Sequence, residues 1–197
     1  MLYKICRAIL KVFLFLFGLK SEGIHKLPDK GPVIVAANHV SNWDPILVGV
    51  VLKRPVHFMA KAELFQNRFL SALFSGLHAF PVKRGAADRK AIRKAMDLLD
   101  QGEILGIFPE GARKKLKPDA AIQSGVAMIA LKTGVPVLPV ACIGTDRNFP
   151  LGWFKPLMVR IGNLITLEEY HNQKVNSSSM EELSQKIMQE INLLMEF

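Results

Sequence analysis

Two cysteines, Cys6 and Cys142, are all that the 197 residues contain. They lie far apart and form no C-x-x-C, so no disulfide framework or cysteine metal site is evident, and a reducing compartment fits. H-E-x-x-H, EF-hand, Walker A and G-x-G-x-x-G patterns are all missing, which removes the common zinc, calcium and nucleotide signatures. No G-x-S-x-G elbow offers a protein nucleophile. No internal repeat is present. Acidic residues are the scarcer charge, 17 against 26 Lys and Arg, for a net charge of +9. That excess implies an anionic partner: nucleic acid, an acidic membrane surface or a phosphorylated substrate. No nucleic-acid motif and no aromatic interleaving of a basic patch occur, so nucleic acid is not expected as a partner. Mean hydropathy is +0.21, high for so charged a chain, and basic plus apolar together favour a membrane surface. At 50% hydrophobic residues the chain can build one sizeable core.

A membrane-spanning run is lacking too. Spanning takes roughly 20 predominantly apolar residues, whereas the run from Ile9 to Leu19 is short and contains Lys11. "MLYKICRAILKVFLFLFGLK" instead reads as an amphipathic helix over residues 1–20. Lys4, Arg7 and Lys11 share one face, and the apolar remainder includes Phe13, Phe15 and Phe17. The expectation is an anchor lying in the headgroup region. A signal peptide competes, although no A-x-A-like site follows, and so does a buried core helix.

Residues 21–197 are expected to form a single domain. Strand patterns at 31–37, 55–61, 78–84, 103–111, 135–144 and 157–163 alternate with helical patterns starting near 44, 67, 86, 122 and 179. Asp44 and Ser179 are candidate N-caps. The alternation predicts an α/β fold, a largely parallel central sheet flanked by helices. Ligands of open α/β sheets gather at the carboxyl ends of strands. Asn38-His39, Lys83-Arg84 and Pro109-Glu110-Gly111 all fall at such ends, which suggests one site.

His39 could serve as a general base if Asp44, five residues on, holds its second ring nitrogen. The plainer alternative is a helix cap and a turn residue. Ser41 is explained by a turn, so a base here would activate a hydroxyl of the substrate, and an acyl group would be the electrophile. Arg84 and Arg113 suit a phosphate through their bidentate forks, or are solvated surface charges. Glu110 fits beside a phosphate site if it pairs with an arginine or accepts from a substrate hydroxyl; otherwise it is a turn residue beside a permissive Gly111.

"NHVSNWD", "FPVKRG", "FPEGAR" and "VPVLPV" stand in that order between residues 31 and 145. This set resembles the four blocks of the glycerolipid acyltransferases, and "FMAKAELF" is similar to a stretch common between the first two. The likeness is greatest to the bacterial 1-acyl-glycerol-3-phosphate acyltransferase group. The resemblance implies transfer of a fatty acyl chain from acyl carrier protein or coenzyme A to the 2-hydroxyl of lysophosphatidic acid. His39 would be the base and Asp44 its orienter. Arg84, supported by Lys83, would bind the acceptor phosphate with Arg113, and Glu110 and Gly111 would shape the acceptor pocket. The family needs no metal or resident cofactor, and works at the cytoplasmic face of the membrane. Gln123 stands where many relatives have a lysine, and Ala112 where Thr or Ser is frequent. Lys115 or Lys117 could replace the lysine; the alternative is a different lysophospholipid or an amine-bearing acceptor.

Overall fold

The computed structural model describes residues 2–83, 88–111, 125–146, 157–170 and 175–196. In chain order the regular elements are α1 (Leu2–Leu16), β1 (Lys20–Glu22), β2 (Val33–Ala37), α2 (Asp44–Val51), β3 (Val56–Lys61), α3 (Arg68–Gly76) and β4 (Ala79–Val82). They continue with α4 (Arg89–Asp100), β5 (Ile104–Ile107), α5 (Gly125–Thr133), β6 (Val137–Ile143), β7 (Met158–Ile161) and α6 (Ser177–Met195). One sheet takes the order β1-β7-β6-β2-β5-β3-β4. Strands β6, β2, β5, β3 and β4 are mutually parallel. β7 runs antiparallel to β6 and carries β1 parallel beside it. The expected α/β architecture is therefore present, with a reversed two-strand edge.

Strands that are covered on both faces read as unbroken apolar runs, and β2 (VIVAA) is buried at all five positions. On one face Leu47, Val48 and Val51 of α2, with Leu14 of α1, join the inward side chains of β2 and β6 in one core. On the other, Ala95 and Leu99 of α4, Ala127 of α5 and Leu183, Ile187 and Ile191 of α6 form a second. Each fully buried Leu or Ile contributes roughly 1.5–3 kcal/mol, so both helical layers hold the sheet firmly.

Helix starts differ slightly from expectation. Trp43, not Asp44, is the cap residue of α2, because the Asp44 carboxylate turns back into the preceding loop. Asn176, not Ser179, caps α6: its side chain accepts from Ser179 N at 2.9 Å, and Ser179 Oγ accepts from Asn176 N at 3.1 Å. That reciprocal pair is a capping box with Ser179 three positions inside.

The N-terminal segment is helical over Leu2–Leu16. Lys4, Lys11 and Phe15 are exposed, whereas Phe13 is partly buried against the α2-side core and its ring lies 4.5 Å from that of the half-buried Phe17. Arg7 also turns inward, which the expected basic face did not foresee. Its guanidinium donates to Gly49 O at 3.1 Å and Leu52 O at 2.7 Å, carbonyls at the end of α2 that need donors and favour a cation. Among the described residues, no helix is long and apolar enough to cross a membrane.

Candidate active site

β2 delivers Asn38 and His39 to the carboxyl edge of the sheet, and Pro45, within the first turn of α2, starts the helix just beyond Asp44. The loop between them closes on one carboxylate. Asp44 is completely buried. Its Oδ2 accepts from Val40 N at 2.8 Å and Ser41 N at 2.7 Å, and lies 3.1 Å from His39 Nδ1. Its Oδ1 accepts from Thr145 Oγ1 at 2.6 Å. With Nδ1 facing the carboxylate as donor, the remaining nitrogen, Nε2, is the one that can accept a proton.

The imidazole is held from the side as well. Its ring stacks on Phe108, with centroids 4.1 Å apart, and Phe108 stacks on Phe58 at 5.7 Å. Gly106 makes that stack possible: a Cβ there would sit 2.4 Å from Phe58 Cε1. Glu110 is buried and its Oε1 accepts from the backbone N of His39 at 3.3 Å. The turn that carries it closes through Gly111 N to Phe108 O at 2.9 Å. Gly111 adopts a φ of 65°, a conformation that glycine takes without steric cost.

Asn38 completes the frame. Its Nδ2 donates to Cys142 O at 2.9 Å and its Oδ1 accepts from Cys142 N at 2.7 Å. The amide thus fastens the end of β2 to the end of β6. Burial, together with the nearby Asp44 charge, pushes the Cys142 thiol well above the ordinary range.

The structure therefore brings His39, Asp44, Glu110 and Gly111 together. Lys83 lies exposed at the end of β4, three strand spacings from β2 in the sheet order, about 14 Å. Arg84, Ala112, Arg113, Lys115, Lys117 and Gln123 lie outside the described residues. Two contributors escaped the sequence reading, Thr145 and the clamping role of Asn38, as did the Asp88 cap of α4. Asp88 caps α4 through Lys90 N and Ala91 N, both 3.1 Å from Oδ1, and its Oδ2 accepts from Lys83 N at 2.9 Å. Those backbone N–H groups, Lys83 first, hold its carboxyl below the usual range. An Asp ahead of an amphipathic helix was a visible cap signal; Thr145 carried none.

Among the described residues, no group of three or more His, Cys, Asp or Glu is arranged to hold a metal ion. A cleft lined by Asn163, Thr166, Glu168, Lys186 and Glu190 lies beside Ile165, which bridges to the opposite, amino-terminal end of β6. It is separate from His39.

Residues 18–143 match the family model described as Acyltransferase. The chain is 38% identical over 150 residues to the 1-acyl-sn-glycerol-3-phosphate acyltransferase of Bacillus subtilis (strain 168), covering 75% of this chain and 74% of that protein. It is 26% identical over 196 residues to the protein of the same name from Borreliella burgdorferi, covering 92% and 77%. The crystal structure of the 1-acyl-sn-glycerophosphate (LPA) acyltransferase PlsC from Thermotoga maritima superposes with a TM-score of 0.65 at 27% identity, over 97% of this chain and 80% of that one. With the family match covering well over half of its length and a buried His-Asp pair at the carboxyl edge of its sheet, this chain belongs to the Acyltransferase family.

Proposed function

We propose that the protein is a 1-acyl-sn-glycerol-3-phosphate acyltransferase, moving a fatty acyl group from a thioester to the 2-hydroxyl of lysophosphatidic acid to give phosphatidic acid. The observation that carries the chemistry is His39 Nδ1 set 3.1 Å from the buried Asp44. His39 Nε2 takes the proton of the acceptor hydroxyl as its oxygen attacks the thioester carbonyl. Asp44 stabilises the imidazolium that forms. Collapse of the tetrahedral intermediate breaks the carbon–sulfur bond, and the imidazolium returns its proton to the departing thiolate. No group on the protein is acylated, in keeping with the missing serine elbow. The acyl donor, a thioester of acyl carrier protein or coenzyme A, is a substrate rather than a resident cofactor.

Arg84 and Arg113, with Lys83 in support, bind the acceptor phosphate in this reading, and Glu110 and Gly111 shape the acceptor pocket. α1 rests on the cytoplasmic surface of the membrane that holds the acceptor, with Lys4, Lys11 and Phe15 as its outward contacts and Arg7, Phe13 and Phe17 securing it to the domain.

The test is acyl transfer by the purified chain, with both thioester donors against a panel of lysophospholipids. Formation of labelled phosphatidic acid supports the assignment, and a preference for an acceptor without a terminal phosphate overturns it. Arg84→Ala should chiefly raise KM for lysophosphatidic acid.

A further inference from the structure

Helix α3 poses a question that acyl transfer does not absorb. It reads RFLSALFSG, and none of its residues is buried. A helix joining two parallel strands ordinarily buries an apolar stripe against the sheet. Phe69, Leu70 and Leu73 are exposed instead, while Phe74 meets Phe65 with ring centroids 5.9 Å apart.

Chain direction adds a second observation. β3 and β4 run parallel to β2 through the ladder, so α3 travels from the edge that bears His39 to the opposite edge. α1 travels the other way. It starts beside the end of α2 and leads into β1, which runs antiparallel to β2. The two helices meet at the edge away from His39. There Tyr3 stacks on His78 at 4.7 Å, and a Cβ on Gly76 would sit 2.8 Å from Leu2 Cδ2.

Among the outward-facing apolar residues of both helices, exposure grows toward the His39 edge. Along α1 it rises from 43% at Leu2 to 64% at Ile9 and 74% at Phe15; along α3 it rises from 42% at Leu73 to 84% at Phe69. Lys4 and Lys11 flank the stripe on α1 and Arg68 opens α3, all three exposed.

We propose that α1 and α3 form one lipid-docking face, with Phe69 and Phe15 leading, so that the His39 edge of the sheet lies nearest the bilayer. Anionic lipid is the occupant that suits the flanking cations and the net charge of +9. The inference rests on the acyltransferase reading in one respect: a single-chain lipid acceptor has the shortest path to His39 when that edge faces its membrane. α3 then supplies a second contact, independent of α1.

Binding of the full chain to phosphatidylcholine vesicles with and without phosphatidylglycerol tests this. Phe69→Ser with Leu73→Ser, and separately Ile9→Ser with Phe15→Ser, should each lower vesicle partition about tenfold or more. Leu193→Ser, on α6 across the sheet, should change it less than twofold. Unchanged partition for the α3 pair overturns the proposal. If only the α1 pair loses binding, α1 alone is the anchor and α3 is not in lipid. If the α3 pair dissolves a dimer without altering partition, a second copy covers α3, and the proposal again fails. Phe69→Trp provides a readout that survives if the serine variants misfold. Its added emission should be quenched by phosphatidylcholine brominated on the acyl chains, beyond the quenching of Trp43 and Trp153 in the parent; absence of that quenching contradicts the proposal. Acyl transfer assayed in detergent on the same samples reports separately on the enzymatic reading.

Discussion

Thr145 Oγ1 donates a 2.6 Å hydrogen bond to Asp44 Oδ1 across 101 residues of sequence. It engages the carboxylate oxygen that His39 leaves untouched. Thr145→Val keeps the shape and removes the donor, leaving a buried acceptor short of a partner at a cost of roughly 1–3 kcal/mol. If Thr145 positions Asp44, kcat should fall by about tenfold or more with KM little changed. The pH dependence of kcat/KM should move, and Thr145→Ser should restore most of the rate. A kinetic comparison of the two variants checks this; equal losses in both would deny the hydrogen bond its role.

His39→Ala should lower kcat by about 10²–10⁴-fold, the usual worth of a general base, while the unfolding transition stays cooperative. Asp44→Asn should also cost stability. Its amide NH2 must face either the Val40 and Ser41 N–H groups or the Thr145 hydroxyl, and the first arrangement sets donors against donors. Urea unfolding of both variants alongside steady-state kinetics separates the chemical loss from the structural one.

Asn38→Ala should destabilise the fold more than a surface substitution does. It strands the N–H and C=O of Cys142 in a buried setting, and each unsatisfied group costs roughly 1–3 kcal/mol. A lowered urea midpoint should accompany lost activity, because the same amide fastens the strand end next to His39.

Stability should fall on mild acidification, and His57 is one cause. Burial chiefly, and then the charge of neighbouring His78, lower its pKa below the ordinary 6.5, with Lys94 acting in the same direction and Glu103 and Ile104 O opposing. Its ring stacks on His78 at 4.6 Å, and its Nδ1 is buried without a partner among the described residues. Below about pH 6.5 the unfolded chain therefore binds more protons than the folded one, so unfolding becomes easier as pH drops. This contribution is fully present above that value and is lost as pH falls toward the folded-state pKa. Melting temperatures between about pH 7.5 and 5 should decline, and His57→Phe should flatten the decline.

Much of the site was legible in one dimension because its parts are local. His39, Asp44 and the loop between them span only a few residues, and the Phe108–Gly111 turn announces itself by Pro and Gly. The strand-helix alternation was equally visible, since buried parallel strands are continuous apolar runs. β1 was not foreseen: "KSE" is short, polar and exposed, and its strand character comes from pairing with β7.

By itself, then, the sequence determined the α/β class, the family blocks and the His-Asp spacing, all written in short-range pattern. Only the tertiary structure decided that Asn38 clamps Cys142, that Thr145 completes the bonding of Asp44, that Arg7 turns inward and that α3 buries none of its residues. Each of these depends on groups brought together from distant parts of the chain, or on burial that the finished packing withholds, and neither leaves a period or a spacing to read.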